Sequence, residues 1–340
     1  MRLTWIILVC IVSWSCSSDK GKSLQESETP ARIVEVPPFN ADSAYFFIEK
    51  QVGFGPRIPN SAAHRLTGEF LVSQFRAYGA QVVTQSFDAL SYDDQKLALR
   101  NIIASYYPEK SKRIMLAAHW DTRPFADKDP DNPRAKLDGA NDGASGVGVL
   151  LEIARVLSTG NLPEVGIDII LFDGEDWGFD HSTAGKLYGR SVDFRLPPNL
   201  DSWWCLGSQY WSKNKHKANY SAYYGILLDM VGAEDARFAR EGASMEYAPG
   251  IVDKVWHTAS RLGYGHIFIN RREEAVTDDH LFVNAIARIP MINIVHYNLA
   301  AGYFGEFHHT RKDGMDLISK ETLGAVGTTV LNVIYEEGKL

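Results

Sequence analysis

The stretch FDGEDWG, residues 172–178, sets Glu175 and Asp176 side by side directly after the apolar run VGIDIIL. Neighbouring carboxylates repel, and no basic residue flanks them. Such a pair can divide labour, with one acid holding a cation while the other moves a proton. Other residues suited to that chemistry recur along the chain. RIMLAAHWD ends in His119 and Asp121, GANDGASG carries Asp142, and YYGILLDMV carries Asp229. RREEAVTDDH brings Asp278 and His280, and the loop NLAAGYFGEFHHTRKD holds His308 and His309. Any one of these has an ordinary explanation: Asp142 as a helix cap, His119 as a core histidine, Asp229 as the start of a turn, His309 as loop surface. Together they have the composition of a metal site, because clustered buried carboxylates are costly without a cation. Two carboxylates and one imidazole suit zinc with an open fourth position. On this reading Asp176 binds the metal and Glu175 moves the proton.

The elements that must position these residues alternate. ADSAYFFIEKQVGFG and SAAHRLTGEFLVSQFRAYG have helical apolar spacing, and AQVVTQSFDAL alternates as a strand. NIIASYY, RIMLAAHWD, VGIDIILFD, YYGILLDMV, HIFIN and PMINIVHY read as strands. GASGVGVLLEIARVLSTG, YAPGIVDKVWHTASRLGYG, DDHLFVNAIA and SKETLGAVGTTVLNVIYEEG read as helices, and residues 174–220 form a long polar and aromatic excursion. Near-continuous apolar strands between helices predict a single α/β domain, a mostly parallel or mixed central sheet with helices on both faces. Ligands in such sheets bind beyond the carboxyl ends of the strands, where these acids and histidines fall.

Composition bounds the rest. The chain has 340 residues, 45% hydrophobic, with a net charge of −7. That is enough for a large core, and the acidic balance with no basic stripe argues against nucleic-acid binding. MRLTWIILVCIVSWSC, residues 1–16, has the layout of a secretory signal, and its terminal Cys16 resembles the lipid-attachment cysteine of bacterial lipoproteins. Residues 17–40 read as a linker and 41–340 as the catalytic domain. The expectation is an exported protein, periplasmic or an outer-membrane lipoprotein with its anchor at Cys16. Outside the signal only Cys205 remains, so no internal disulfide can form there.

In order, AAHWD, GANDGASGVGVLLEIARVL, ILFDGEDWG, GILLDMVGA, DDHLF and FHHTRKD resemble the motifs of the zinc aminopeptidase family that includes glutaminyl cyclases. The resemblance spans roughly Val52 to the C-terminus. It implies a mixed sheet flanked by helices and one of two site patterns. The two-zinc peptidase pattern would use His119, Asp142, Asp176, Asp229 and His309, with Glu175 as base. The one-zinc cyclase pattern would use Asp142, Asp176 and His309 for the metal, Glu175 as proton shuttle, and Asp229 and Asp278 as the completing acids. Asp278 in DDH, the segment WWCLGSQYW and the segment HWDTRPFADKDPD favour the bacterial cyclase branch. GANDGASG and the retained His119 fit the peptidase. The resemblance therefore implies a zinc-dependent glutaminyl-peptide cyclotransferase acting on peptides or exported proteins with N-terminal glutamine; a zinc aminopeptidase is the alternative. His308 stands where animal cyclases have Trp, which moves the expected substrate wall to Trp177, Trp203 or Trp211.

Overall fold

The computed structural model describes residues 35–160, 162–183, 187, 195–300 and 303–337. The signal segment and most of the expected linker lie outside the described residues. The chain enters with α1 (Ala41–Gly53) and α2 (Ala62–Ala77), capped by Asn40 and Ser61 through side-chain oxygens that accept from Ser43 N and His64 N. Val36 and Phe39, just before α1, pack on the core.

Among the described residues eight strands follow: β1 (Gln81–Leu90), β2 (Lys96–Tyr106), β3 (Arg113–His119), β4 (Gly166–Phe172), β5 (Tyr224–Asp229), β6 (Phe238–Arg240), β7 (Phe268–Arg272) and β8 (Met291–Val295). Six form one sheet in the order β1-β2-β4-β3-β5-β8. β1–β2 and β2–β4 pair antiparallel, while β4–β3, β3–β5 and β5–β8 pair parallel, so the sheet is mixed, as expected. β7 pairs instead with the short β6 in a separate two-stranded sheet. The chain steps from β3 to β4 on one side, then returns past β3 to β5 on the other. Loops at the carboxyl ends of these strands part there and leave a crevice.

Every residue of β3 and β4 is buried, because both faces are covered. Ile114, Leu116 and Ala118 of β3, with Ile167, Ile169 and Leu171 of β4, point to a core shared with α1, α3 (Ala144–Thr159), α6 (Pro249–Arg261) and α8 (Lys320–Glu336). The alternate residues Met115, Ala117, Ile170 and Phe172 point to the opposite core. That core includes Trp211 of α4 (Leu206–Lys213) and Val283 and Ala287 of the π turn after α7 (Asp279–Phe282). A short helix, α5 (Gly242–Tyr247), directly precedes α6. The polar excursion thus contains α4, which its aromatic-rich sequence does not announce. DDHLFVNAIA is four α-helical residues followed by a π turn rather than one helix.

Candidate active site

The parallel strands β3, β4 and β5 end on one rim, and each delivers part of a polar cluster. His119 is the last residue of β3 and Asp229 the last of β5. After β4 the chain turns at Gly174, φ +70°, and presents Glu175 and Asp176. Asp121, just past β3, fixes that turn: its two oxygens accept from Glu175 N and Asp176 N, both at 3.1 Å. The third acid of the stretch, Asp173, does structural work. It accepts from His64 at 2.9 and 3.0 Å and from Arg100 N at 2.7 Å.

Asp142 is not a helix cap. The cap of α3 is Gly143, with no side-chain bond, at φ +91°; a Cβ there would sit 2.8 Å from Asp121 O and 3.0 Å from the His119 ring. Asp142 is therefore free to turn its carboxylate inward. Asp313 braces its backbone, accepting from Asn141 N at 2.6 Å and Asp142 N at 3.0 Å.

Asp142, Asp176 and His309 converge. His309 Nε2 lies 3.0 Å from Asp176 Oδ1 and 3.7 Å from Asp142 Oδ2. Ligand atoms about 2 Å from a tetrahedral zinc are separated by about 3.3 Å, so this spacing fits a shared ion. Both oxygens of Asp176 are buried without a hydrogen-bond partner, a cost that a bound cation removes. Asp127 Oδ1 lies 3.5 Å from His309 Nδ1, on the side away from the acids, and directs Nε2 towards them. Arg123 in turn grips Asp127 with bonds of 2.7 and 2.6 Å. Two donor groups that share Asp142 have their atoms within 4.8 Å of one another: Asp142, His308 and His309, and His119, Asp142 and Asp229. His119 Nε2 lies 3.0 Å from Asp142 and 3.3 Å from Asp229, yet makes no aligned hydrogen bond to either.

The acids beside Asp142, Asp176 and His309 feel one another strongly. Burial, with Asp278, Asp176 and Asp279 nearby, pushes the Glu175 carboxyl well above its ordinary range against the pull of His119. Burial and Asp278 push Asp229 up to about 8. Burial disfavours a protonated His119, but Asp121, Asp142 and Asp229 outweigh it and raise its pKa. A divalent cation would relieve this excess negative charge. Asp278 caps α7; its Oδ1 accepts from Asp279 N and its Oδ2 from Asn293 Nδ2, both at 2.6 Å. Its carboxylate comes within 4.8 Å of Glu175. The remaining histidine, His280, faces away and bonds Glu241 at 3.0 Å.

Asp142, Glu175, Asp176, Asp229, Asp278 and His309 line a cavity of about 510 Å³ whose walls are Trp204, Phe179, Tyr303, Phe304 and His308. The aromatic wall differs from expectation. Trp177 and Trp211 are buried in apolar clusters and Trp203 packs against one of them, so none of the three lines the cavity. Trp204 takes that place, stacked on His309 at 5.9 Å and backed by the Arg123 guanidinium at 4.7 Å. Lys128 donates to His308 Nδ1 at 3.0 Å and also faces the cavity. The strand-end pattern names Asp121 beside His119, whereas Arg123, Asp127, Trp204, Cys205 and Asp313 are not marked as site residues by the sequence. For two of these the only signal is proximity to a motif: Arg123 follows His119, and Asp313 closes FHHTRKD.

Solved structures share this arrangement of strands and helices. The chain is 50% identical to Bacteroides thetaiotaomicron glutaminyl cyclase bound to N-acetylhistamine, with TM-score 0.81 over 89% of this chain and 100% of that one. It is 48% identical to a Zn-dependent exopeptidase from Parabacteroides distasonis, with TM-score 0.82 over 89% and 100%. Among curated proteins it is 26% identical over 189 residues to the glutaminyl-peptide cyclotransferase of Drosophila melanogaster, 54% of this chain and 46% of that protein. The chain spans about half the length of such curated relatives. The family model for peptidase family M28 matches residues 101–334, from the middle of β2 into α8, and so takes in every strand end that supplies the cluster: the chain belongs to peptidase family M28.

Proposed function

We propose that this chain is a glutaminyl-peptide cyclotransferase, converting an N-terminal glutamine of peptides or proteins to pyroglutamate with release of ammonia. The observation that carries this reading is the pairing of Glu175 with Asp278 beside a separate convergence of Asp142, Asp176 and His309 that fits a cation. Asp142, Asp176 and His309 would hold one zinc, which when bound supplies Lewis-acid polarisation of the side-chain amide oxygen. The likeness to glutaminyl cyclases at 47–50% identity, over 88–89% of this chain and 100% of those chains, supports the same assignment.

The remaining steps belong to the protein. The nucleophile, the substrate's own α-amine, is tethered to the amide it attacks, so the cavity's main task is to fold glutamine into an attacking geometry. Asp229 and Asp278 bind and orient the amine. Glu175 accepts a proton from it as the N–C bond to the side-chain amide carbon forms. The same carboxyl gives that proton to the amide nitrogen as its C–N bond breaks, and ammonia leaves. Trp204, Phe179 and Tyr303 wall the side chain from water.

A zinc aminopeptidase is the second reading, favoured by the donor group His119, Asp142 and Asp229, which could hold a second ion. Mass spectrometry of a Gln-starting peptide with the zinc-loaded protein separates the two. Loss of one ammonia at unchanged length is the expected product; loss of the first residue overturns the reading. Zinc stoichiometry gives the second axis, with one ion expected for the cyclase. The apolar segment 1–16 supports a further proposal, that the protein is exported and lipidated at Cys16. Radiolabelled fatty acid should enter the wild-type chain and not Cys16→Ala; equal labelling of both overturns it.

A further inference from the structure

Cys205, the only cysteine among the described residues, is buried and unoxidised at the start of α4. Its backbone is left-handed, φ 60° and ψ 40°, where a non-glycine residue is strained, and its side chain does not cap the helix. The strain coincides with three contacts to the catalytic turn. Cys205 N donates to Glu175 O at 2.9 Å, Leu206 N donates to Gly174 O at 3.1 Å, and the Cys205 thiol donates to Glu175 Oε1 at 3.1 Å. Gly207, two residues after Cys205, lets α4 close on the turn, since a Cβ there would meet Asp173 O at 2.5 Å. The start of α4 is thus clamped to residues 173–175 by backbone and side chain together.

The geometry points to Cys205 as a positioning residue for the proposed proton shuttle: its thiol fixes Oε1 of Glu175, leaving Oε2 to face the substrate. No other side chain among the described residues donates a hydrogen bond to Glu175. Asp278, the carboxylate within 4.8 Å, can only repel it when both are ionised. Without the thiol the Glu175 side chain loses its one side-chain hydrogen bond, and only the undirected pull of His119 opposes that repulsion. A thiol is a weak donor, so it orients the carboxylate while withdrawing little charge from it. This inference rests on Glu175 acting as the base, the role given to it above.

The test compares wild type, Cys205→Ala and Cys205→Ser as zinc-loaded proteins on a Gln-starting peptide. Cys205→Ala should lower kcat about tenfold or more, the scale on which small misplacements of a catalytic group act, with KM, zinc content and Tm unchanged. Cys205→Ser restores a donor at the same position and should recover much of the lost kcat. The inference is overturned if Cys205→Ala keeps kcat within about twofold, if Ala and Ser lose activity equally, or if the loss follows Tm or zinc content. The product mass from wild type reports separately on the cyclase reading. Should that product be a shortened peptide, cyclisation fails as the reaction while the Ala-to-Ser comparison still decides whether Cys205 serves Glu175.

Discussion

The two ends of the same sheet treat buried charge in opposite ways. At the end where β3 and β4 begin, Asp168 accepts from Arg113 Nε at 2.5 Å and Nη2 at 2.8 Å, from Ser105 Oγ at 2.6 Å and from Tyr220 OH at 2.9 Å. Arg113 spends its other donors on the carbonyls of Tyr106, Tyr107, Lys110 and Ile167. At the end where the strands finish, both oxygens of Asp176, one of Asp229 and both nitrogens of His119 are buried with no aligned partner. A satisfied buried charge needs nothing further and holds the fold. An unsatisfied one, kept in place by braces such as Asp121 and Asp313, is arranged for something not yet bound.

The largest effect that would test this contrast is on turnover. Glu175→Gln keeps size and removes the base, so kcat should fall about 10²- to 10⁴-fold. Zinc content should not change, because Glu175 lies outside the ligand trio, and the fold should not weaken, because one of several crowded acids has been neutralised. Metal analysis and urea unfolding beside the kinetic assay check both halves. Near-normal turnover would remove Glu175 from the chemistry. At the opposite end the pattern should invert. Asp168→Asn leaves Arg113 buried against a neutral partner and should cost about 3–5 kcal/mol of stability, while kcat per folded molecule stays at the wild-type value. A stability loss below about 1 kcal/mol would mean that the satisfied end is less important to the fold than its bonding suggests.

A smaller effect is expected where the two behaviours meet. Asp127 is a satisfied carboxylate, held by Arg123 and Thr183, yet it faces the unsatisfied rim through His309. Asp127→Asn should weaken zinc binding about 10- to 100-fold, the usual scale for a partner of a histidine ligand, and leave saturated-zinc turnover much closer to wild type. Competition with a zinc chelator measures it. Unchanged affinity would make the Asp127–Arg123 pair part of the scaffold alone.

Much of the rim could be read from sequence because strand ends are legible. A run such as VGIDIILF has to be a buried strand, and the first acids after it must fall at its carboxyl end. That rule places His119, Glu175, Asp176 and Asp229 on the rim; Asp142 and Asp278 stand before helices and His309 in a loop, and their place in the site is what the resemblance to the family's motifs implies. What was not legible depends on contacts between segments far apart in the chain. Asp121 and Asp313 act through backbone amides of other loops, and no pattern of residue types encodes which amide a carboxylate will meet. The tryptophans show the same limit. Trp203 and Trp204 are adjacent, and a turn whose direction the sequence does not specify sends Trp203 towards the apolar cluster and Trp204 into the cavity. α4 was missed because its apolar positions sit among aromatic and polar residues without a clean helical stripe.

Glu241 asks whether satisfaction or position decides how a buried acid behaves. It lies on the functional side of the sheet, next to the segment that carries Asp278, yet it is fully bonded. It accepts from Ala243 N, Ser244 N, Ser244 Oγ, Val276 N and His280. Burial alone would raise its pKa, but His280 and Ser244 overcome that and hold the carboxyl at about 2. The folded value lies below the ordinary one of 4.5, so the ionised form is favoured by folding. Its contribution to stability is therefore complete above about pH 4.5 and is lost as pH falls towards 2. Between pH 5 and 3 wild type should lose stability more steeply than Glu241→Gln, by up to about 1.4 kcal/mol per pH unit, the slope of a single proton. Urea unfolding across that range gives the difference curve. Parallel curves would mean that Glu241 is as poorly satisfied as the acids of the rim and that its location sets its behaviour; converging curves would place it with Asp168, defined by its bonds.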